Sequence, residues 1–85
     1  QSKKFAEKSF SKRKINYFNS HVNSITFDCL NQKRASKIYN YFLKRKIFLA
    51  RFNDKKIKRF LNVTTTNINN LKLFFKTLDN FYKNE

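Results

Sequence analysis

The chain has 85 residues and a formal net charge of +15, from 20 Lys and Arg against 5 Asp and Glu. This length allows one small domain at most, 1–85, which buries only about 60% of the surface of its unfolded state. Hydrophobic residues make up 40% of the sequence and include 11 Phe, so a packed core is expected rather than intrinsic disorder.

The first third of the chain predicts a helix followed by a strand. Residues 3–14 are compatible with a weakly amphipathic helix that Ser2 caps, and we treat 1–14 as a helical lead-in. Residues 15–23 contain several Asn and Ser and resemble a turn. The next residues alternate between apolar and polar, which is typical of a half-buried strand, with the apolar positions at Ile25, Phe27 and Cys29.

Two helices and two strands are predicted in the remainder of the chain. Residues 32–45 carry one apolar helical face after a capping Asn31, and the last helix follows a cap at Thr66 or Asn67. Residues 47–52 and 59–65 are rich in strand-forming residues, and a loop over 53–56 separates them. The order α-β-α-β-β-α predicts an α+β domain, with a βαββα core over 15–85 and helices packed on one face of a small sheet.

The residues that usually carry catalysis are scarce. The single histidine, His21, lies in the turn-like stretch without a carboxylate nearby, so a surface or capping role is favoured over a catalytic base. Asp28 and Asp54 are expected to be solvated or paired with cations. Cys29 excludes an intramolecular disulfide and is expected to be a buried, inert thiol. We therefore predict neither a catalytic residue nor a metal site in this chain.

The positive charge has more than one explanation. Two stretches, "KRKINYF" (12–18) and "KKIKRF" (55–60), mix cations with aromatic rings, as proteins that bind nucleic acids do. The aromatic residues of the second stretch also fit core positions of a strand, with the cations in a loop. A small basic nucleic-acid-binding module or ribonucleoprotein component is thus one alternative. A structural or interaction domain whose charge reflects an AT-rich genome is another.

The expected location is cytoplasmic. No apolar run approaches ~18 residues, so no membrane span is predicted, and no apolar segment of a signal peptide is visible at the start. The chain does not begin with methionine, which predicts a fragment or a processed product.

Four stretches carry a resemblance to a known family over about the last 70 residues. They are "NSHVNSITFD", "ASKIYNYFLKRKIFLARF", "NDKKIKRFLNVT" and "NNLKLFFKTLDNF". Their order and spacing resemble those of the C-terminal small domain of fold-type I, pyridoxal-phosphate-dependent aminotransferases, and most of all the histidinol-phosphate aminotransferase group.

The resemblance implies three substrate-binding candidates. Asn62 falls on the arginine of the family's "Leu-Arg-Ile" strand, which pairs with the α-carboxylate of the substrate. A second family arginine falls on Ala50, with Arg51 one residue along, and Asn23 matches a family asparagine. Asparagine supplies neither the charge nor the planar fork of an arginine. Lys46 replaces a family glycine, and Thr65-Thr66-Asn67 replaces "Val-Gly-Thr".

The resemblance also implies what lies outside this chain. The lysine that forms the Schiff base and the groups that bind the cofactor belong to the large domain of these enzymes. The chain is therefore expected to hold no cofactor and to be inactive alone. Its implied partners are a large pyridoxal-phosphate-binding domain and an amino-acid substrate, within a homodimeric parent.

Overall fold

The structure is a computed structural model that describes residues 2–85 as three helices, four strands and one short 3₁₀ turn. The elements in chain order are α1 (Ser2–Lys12), β1 (Tyr17–His21), β2 (Ser24–Asp28), α2 (Gln32–Leu43), β3 (Ala50–Arg51), the 3₁₀ turn (Lys55–Ile57), β4 (Phe60–Thr64) and α3 (Ile68–Lys83). None of the helices within 2–85 has the length and apolar character needed to cross a membrane.

The strands form one sheet in the order β1-β2-β4-β3, in which every neighbouring pair is antiparallel. Because β1 and β4 are both antiparallel to β2, they run parallel to each other on its two sides. In the β2–β4 pair, Ile25 lies opposite Val63 and Phe27 lies opposite Leu61, and all four side chains are buried. Side chains alternate along a strand, so these residues define one apolar face of the sheet.

The three helices cover this apolar face and leave the other face without a helical layer. Their buried apolar residues are Ala6, Phe10, Ala35, Ile38, Phe42, Leu71, Phe74, Phe75, Leu78 and Phe81. Full burial of one such Phe or Leu side chain contributes about 1.5–3 kcal/mol. The predicted α+β class, with the helices on one face of a small sheet, is confirmed.

Asparagine side chains begin α2 and α3. The side chain of Asn31 accepts a hydrogen bond from the backbone N–H of Arg34 at 2.8 Å, and that of Asn67 accepts one from Asn70 at 3.1 Å. Each bond satisfies a backbone donor that the first helical turn leaves without a partner. Of the two caps considered for the last helix, Asn67 fills the role.

Lysine residues occupy the left-handed position at the ends of α1 and α2. The φ angles of Lys14 and Lys46 are 58° and 62°. After each lysine, an isoleucine N–H returns to a phenylalanine carbonyl of the helix, Ile15 to Phe10 and Ile47 to Phe42, both at 3.0 Å. This Schellman arrangement usually places glycine at the left-handed residue, but the chain has no glycine. The sequence Phe-x-Lys-Arg-Lys-Ile therefore ends both helices in the same way.

The first strand differs from the sequence-based expectation. Residues 15–23 were predicted to be turn-like, but Tyr17–His21 form β1 and pair with β2. The ring of Tyr17 stacks on that of Phe10, with 5.7 Å between centroids, and this contact holds the start of β1 against α1. Pairing with β2 thus outweighs the turn preference of Asn19 and Ser20.

The third strand is shorter than predicted. Only Ala50 and Arg51 of the expected strand 47–52 pair with β4. The backbone N–H of Ile47 closes the end of α2, and Phe48 is 75% exposed. The first residues of this run therefore complete the turn after α2 and do not extend the sheet.

The left-handed lysines predict that glycine would stabilise the fold. Lys46→Gly should raise the free energy of unfolding by about 1 kcal/mol, because a residue with a Cβ pays roughly that much in the left-handed region. Urea unfolding monitored by circular dichroism would measure the change.

Lys12→Gly is the matched control, since Lys12 is the last residue of α1 and has a helical backbone. It should destabilise the protein by up to about 1 kcal/mol. If both substitutions changed the free energy of unfolding by the same amount, the left-handed backbone of Lys46 would not be the cause of the effect.

Candidate functional site

The open face of the sheet, opposite the helices, carries the most distinctive set of polar and aromatic side chains. The residues of β1, β2 and β4 on this face are Phe18, Ser20, Ser24, Thr26, Asp28, Phe60, Asn62 and Thr64. They alternate along the strands with the buried residues of the core. The face consists of a neutral polar centre and an aromatic and charged end.

Asn62 and three hydroxyl groups form the polar centre, which we call the hydroxyl cluster: Ser20, Ser24, Thr26 and Asn62. The side-chain nitrogen of Asn62 lies 2.9 Å from Ser20 Oγ, 3.2 Å from Ser24 Oγ and 3.1 Å from Thr26 Oγ1. An amide nitrogen has two hydrogens, so the three oxygens share them. The hydroxyl groups accept in these bonds. Ser20 is exposed and Ser24 is half-buried, so these two hydroxyl groups, unlike that of the buried Thr26, can donate to a ligand above the sheet.

A bulge brings Ser20 into this cluster. The register of β1 against β2 shifts between Asn19 and His21, so that Ser20 is the extra residue of β1. Its Oγ lies 3.3 Å from that of Ser24 as well as within reach of Asn62. A bulge of this kind re-aims a side chain relative to the regular alternation of a strand.

Phe18 and Phe60 form an aromatic pair at one end of the open face. Their ring centroids are 5.3 Å apart and the rings are tilted by 52°. Since β1 and β4 flank β2, the two rings meet above β2. They cover Thr26 and Asp28, which are only 3% and 5% exposed although they lie on the open face. The expectation that Phe60 belongs to the core is wrong, because the alternation of β4 places Leu61 and Val63 there instead.

Asp28 is held by two charge-assisted hydrogen bonds from Arg59. Arg59 Nε lies 2.9 Å from Oδ1 and Nη2 lies 2.5 Å from Oδ2, and the backbone N–H of Leu30 donates to Oδ1 at 2.8 Å. The hydrogen bonds from Arg59, assisted by that from Leu30, hold the pKa of Asp28 below its usual value against the opposing effect of burial. Asp28 is thus one of the paired carboxylates that the sequence led us to expect.

The three predicted substrate-binding residues lie in different places. Asn62 is in the hydroxyl cluster, whereas Asn23 is an exposed residue of the β1–β2 turn whose backbone oxygen accepts from the N–H of Thr65 at 2.8 Å. Arg51 lies opposite Leu61 and therefore on the helical face. Its Nη2 donates to Ser36 Oγ at 2.8 Å. The structure does not bring these side chains together.

Arg51 is occupied by α2. Besides its hydrogen bond to Ser36, its guanidinium carbon lies 4.7 Å from the centroid of the Tyr39 ring. Its neighbour Ala50 lies opposite Asn62 in the β3–β4 pair and so belongs to the open face. The two positions to which the resemblance assigns family arginines, Ala50 and Asn62, are therefore directly opposite each other.

The single cysteine and the single histidine were the other candidates for a chemical role. Cys29 is buried, and burial raises the pKa of its thiol to about 12, so the reactive thiolate does not form near neutral pH. His21 is exposed at the end of β1, where its carbonyl accepts a hydrogen bond from Lys3. Within residues 2–85, no three His, Cys, Asp or Glu side chains are grouped as metal ligands.

Sequence reasoning missed the partners of Asn62 and the exposed position of Phe18. The polar residues at alternate positions of β2, Ser24, Thr26 and Asp28, were a usable signal for a polar sheet face. The sequence carries no such signal for Ser20, because the bulge in β1 determines that its side chain lies on the open face.

Comparison with known proteins gives a relative that matches in part. The chain matches no profile of a known protein family. It is 32% identical over 73 residues to histidinol-phosphate aminotransferase 2 of Legionella pneumophila (strain Paris). The aligned region is 86% of this chain but 19% of the relative, so the chain spans about a fifth of the relative's length. The chain is thus similar to a fragment of an aminotransferase.

The Asp28–Arg59 pair predicts a loss of stability in acid. Because the pKa of Asp28 is lower in the folded protein than in the unfolded chain, its contribution is complete above about pH 5 and is lost as the pH falls through the lowered pKa. Urea unfolding at a series of pH values would show this loss.

Asp28→Asn should be less stable than the wild type at pH 6 and should lose less stability on acidification. Asp79 pairs with Arg13 and also has a lowered pKa, so Asp79→Asn serves as the control for an ion pair outside the open face. If the free energy of unfolding fell equally with pH in the wild type and in Asp28→Asn, the Asp28–Arg59 pair would not be a source of the acid sensitivity.

Proposed function

We propose that this chain is a small-domain segment of a pyridoxal-phosphate-dependent aminotransferase, with Asn62 at the position that faces the substrate α-carboxylate. The observation that carries the proposal is the 32% identity over 73 residues to a histidinol-phosphate aminotransferase. The pairing of Ala50 with Asn62 supports it, because the two positions that match family arginines then point to one place on the open face.

The hydroxyl cluster would bind a carboxylate through hydrogen bonds from neutral donors. The accessible hydroxyl groups of Ser20 and Ser24 can donate hydrogen bonds, and no cation takes part in the cluster's hydrogen bonds. An arginine would add its own positive charge and two parallel N–H donors to such bonds. We therefore infer weaker substrate binding than an arginine at position 62 would give.

The residues of this chain do not form a site for the cofactor. No lysine within 2–85 is buried, and every buried side-chain nitrogen or oxygen there has a hydrogen-bond partner. Pyridoxal phosphate supplies the electron sink for amino-group transfer, and we assign it to a large domain on a different segment. The role of this chain is then to bind the carboxylate and to cover the site, within a parent that we expect to be a cytoplasmic homodimer.

A chimera tests this proposal directly. The segment of the Legionella enzyme that aligns with this chain would be replaced by this chain, and cofactor content and transamination would be measured. The proposal expects a folded chimera that retains pyridoxal phosphate and has reduced activity. The enzyme with its own segment is the positive control, and loss of the cofactor from an otherwise folded chimera would reject the proposal.

In the chimera, Asn62→Arg should lower KM for the amino-acid substrate by about tenfold or more. A charge-assisted bond contributes roughly 1.5–3 kcal/mol, and each 1.4 kcal/mol corresponds to a factor of ten. Steady-state kinetics over a range of amino-acid concentrations would measure the change.

Thr64→Arg adds the same charge to the same face of β4, two residues from Asn62, and is the matched control. It should leave KM close to that of the unmodified chimera. If both arginines lower KM equally, general attraction is responsible and position 62 does not bind the carboxylate.

The genomic neighbourhood offers a second test. About four fifths of the relative has no counterpart in this chain. The proposal expects a coding region nearby that supplies a cofactor-binding large domain.

A further inference from the structure

We propose that Phe18 and Phe60, together with the basic segments that precede them, form a binding site for single-stranded nucleic acid. The two basic and aromatic stretches of the sequence are far apart in the chain, but the structure joins their terminal aromatic rings at 5.3 Å. This inference goes beyond the proposed aminotransferase role and does not depend on it.

The topology of the sheet brings the two basic segments to one end. Because β1 and β4 run parallel on either side of β2, the residues that precede them reach the sheet at the same end. The cations before β1 are Lys12, Arg13 and Lys14, and those before β4 are Lys55, Lys56, Lys58 and Arg59. Phe18 and Phe60 lie close to the beginnings of these two strands. Phe60 follows Arg59, whose guanidinium carbon lies 5.3 Å from the centroid of its ring, and Phe18 comes four residues after Lys14.

The lysines of these segments have no acidic partner. The ion pairs within residues 2–85 are Arg13–Asp79, Arg34–Glu85 and Arg59–Asp28, and none includes a lysine. The carboxylate of Asp28 is neutralised by Arg59 and covered by the aromatic pair. The end of the sheet therefore keeps an excess of positive charge, which attracts the phosphates of a polyanion.

The aromatic pair gives the site its preference for single strands. Phe18 is 52% exposed, although a side chain of this kind is usually buried. Every nucleobase can stack on an aromatic ring, but the bases of a duplex are stacked on each other and cannot reach it. The hydroxyl cluster begins beside Phe18, since Thr26 lies opposite it, and its accessible members Ser20 and Ser24 could donate to the edges of a stacked base. Positive charge alone would not distinguish single strands from duplexes, whereas an exposed ring that stacks on unpaired bases would.

A tryptophan reporter tests the contact with the bases. The 85-residue chain has no tryptophan, so Phe18→Trp introduces a single indole into it. The matched control is Phe48→Trp. Phe48 is 75% exposed and follows Lys44, Arg45 and Lys46, so it combines an exposed ring and cations outside the proposed site.

The probes are a labelled oligouridylate and a labelled oligothymidylate, each titrated at several salt concentrations. We expect either strand to quench the fluorescence of Phe18→Trp but not that of Phe48→Trp. We also expect Phe18→Leu, which keeps an apolar cover over Asp28 but has no ring, to weaken binding about fivefold or more, the loss typical of one stacked base. Phe48→Leu should bind as the wild type does.

Several results would overturn the proposal. These are an absence of binding at low salt, equal affinity for a duplex of the same length, or equal losses in Phe18→Leu and Phe48→Leu. Displacement of the oligonucleotide by polyglutamate at equal charge would instead indicate an acidic protein as partner. If Phe18→Trp does not fold, as judged by circular dichroism, the affinities of the two leucine variants decide the question.

Discussion

The contact between Phe10 and Phe74 joins the three helices to the sheet. The two rings meet edge to face, with centroids 6.0 Å apart, and both contact Phe27 of β2, at 5.2 and 5.5 Å. Phe74 also lies 5.2 Å from Phe42 of α2. One cluster of rings therefore includes every helix and the central strand. Loss of one such ring costs about 3–5 kcal/mol, which is comparable to the whole stability of a small domain.

This core determines where function can lie. The helices cover one face of the sheet, and no element within residues 2–85 covers the other. The buried polar groups of the open face, Thr26 and Asp28, are satisfied by Asn62 and by Arg59. Both proposed activities use this open face, but they depend on different residues of it, Asn62 in one case and Phe18 in the other.

The fold was largely predictable from local patterns, whereas the site was not. Helical periodicity identified α2 and α3, because residues such as Phe42 and Phe74 recur on one side. The strand β1 was missed, since its pairing with β2 is a non-local interaction that Asn and Ser do not signal. The sequence of β4 alternates between two faces of the strand, but this alternation does not tell which face meets the core. Phe60 was therefore assigned to the core, although it lies on the open face. The resemblance selected Asn62, whose neighbours only the three-dimensional register reveals.

The two edges of the sheet also affect how the protein behaves at high concentration. An open edge strand can pair with another copy and start aggregation. The β3 edge offers only two residues, and the β1 edge is interrupted by its bulge, beside which Lys3 donates to the carbonyls of His21 and Val22. Neither edge presents a long, flat template for another strand. A chain with eleven phenylalanines can thereby expose part of its sheet and still resist edge-to-edge association.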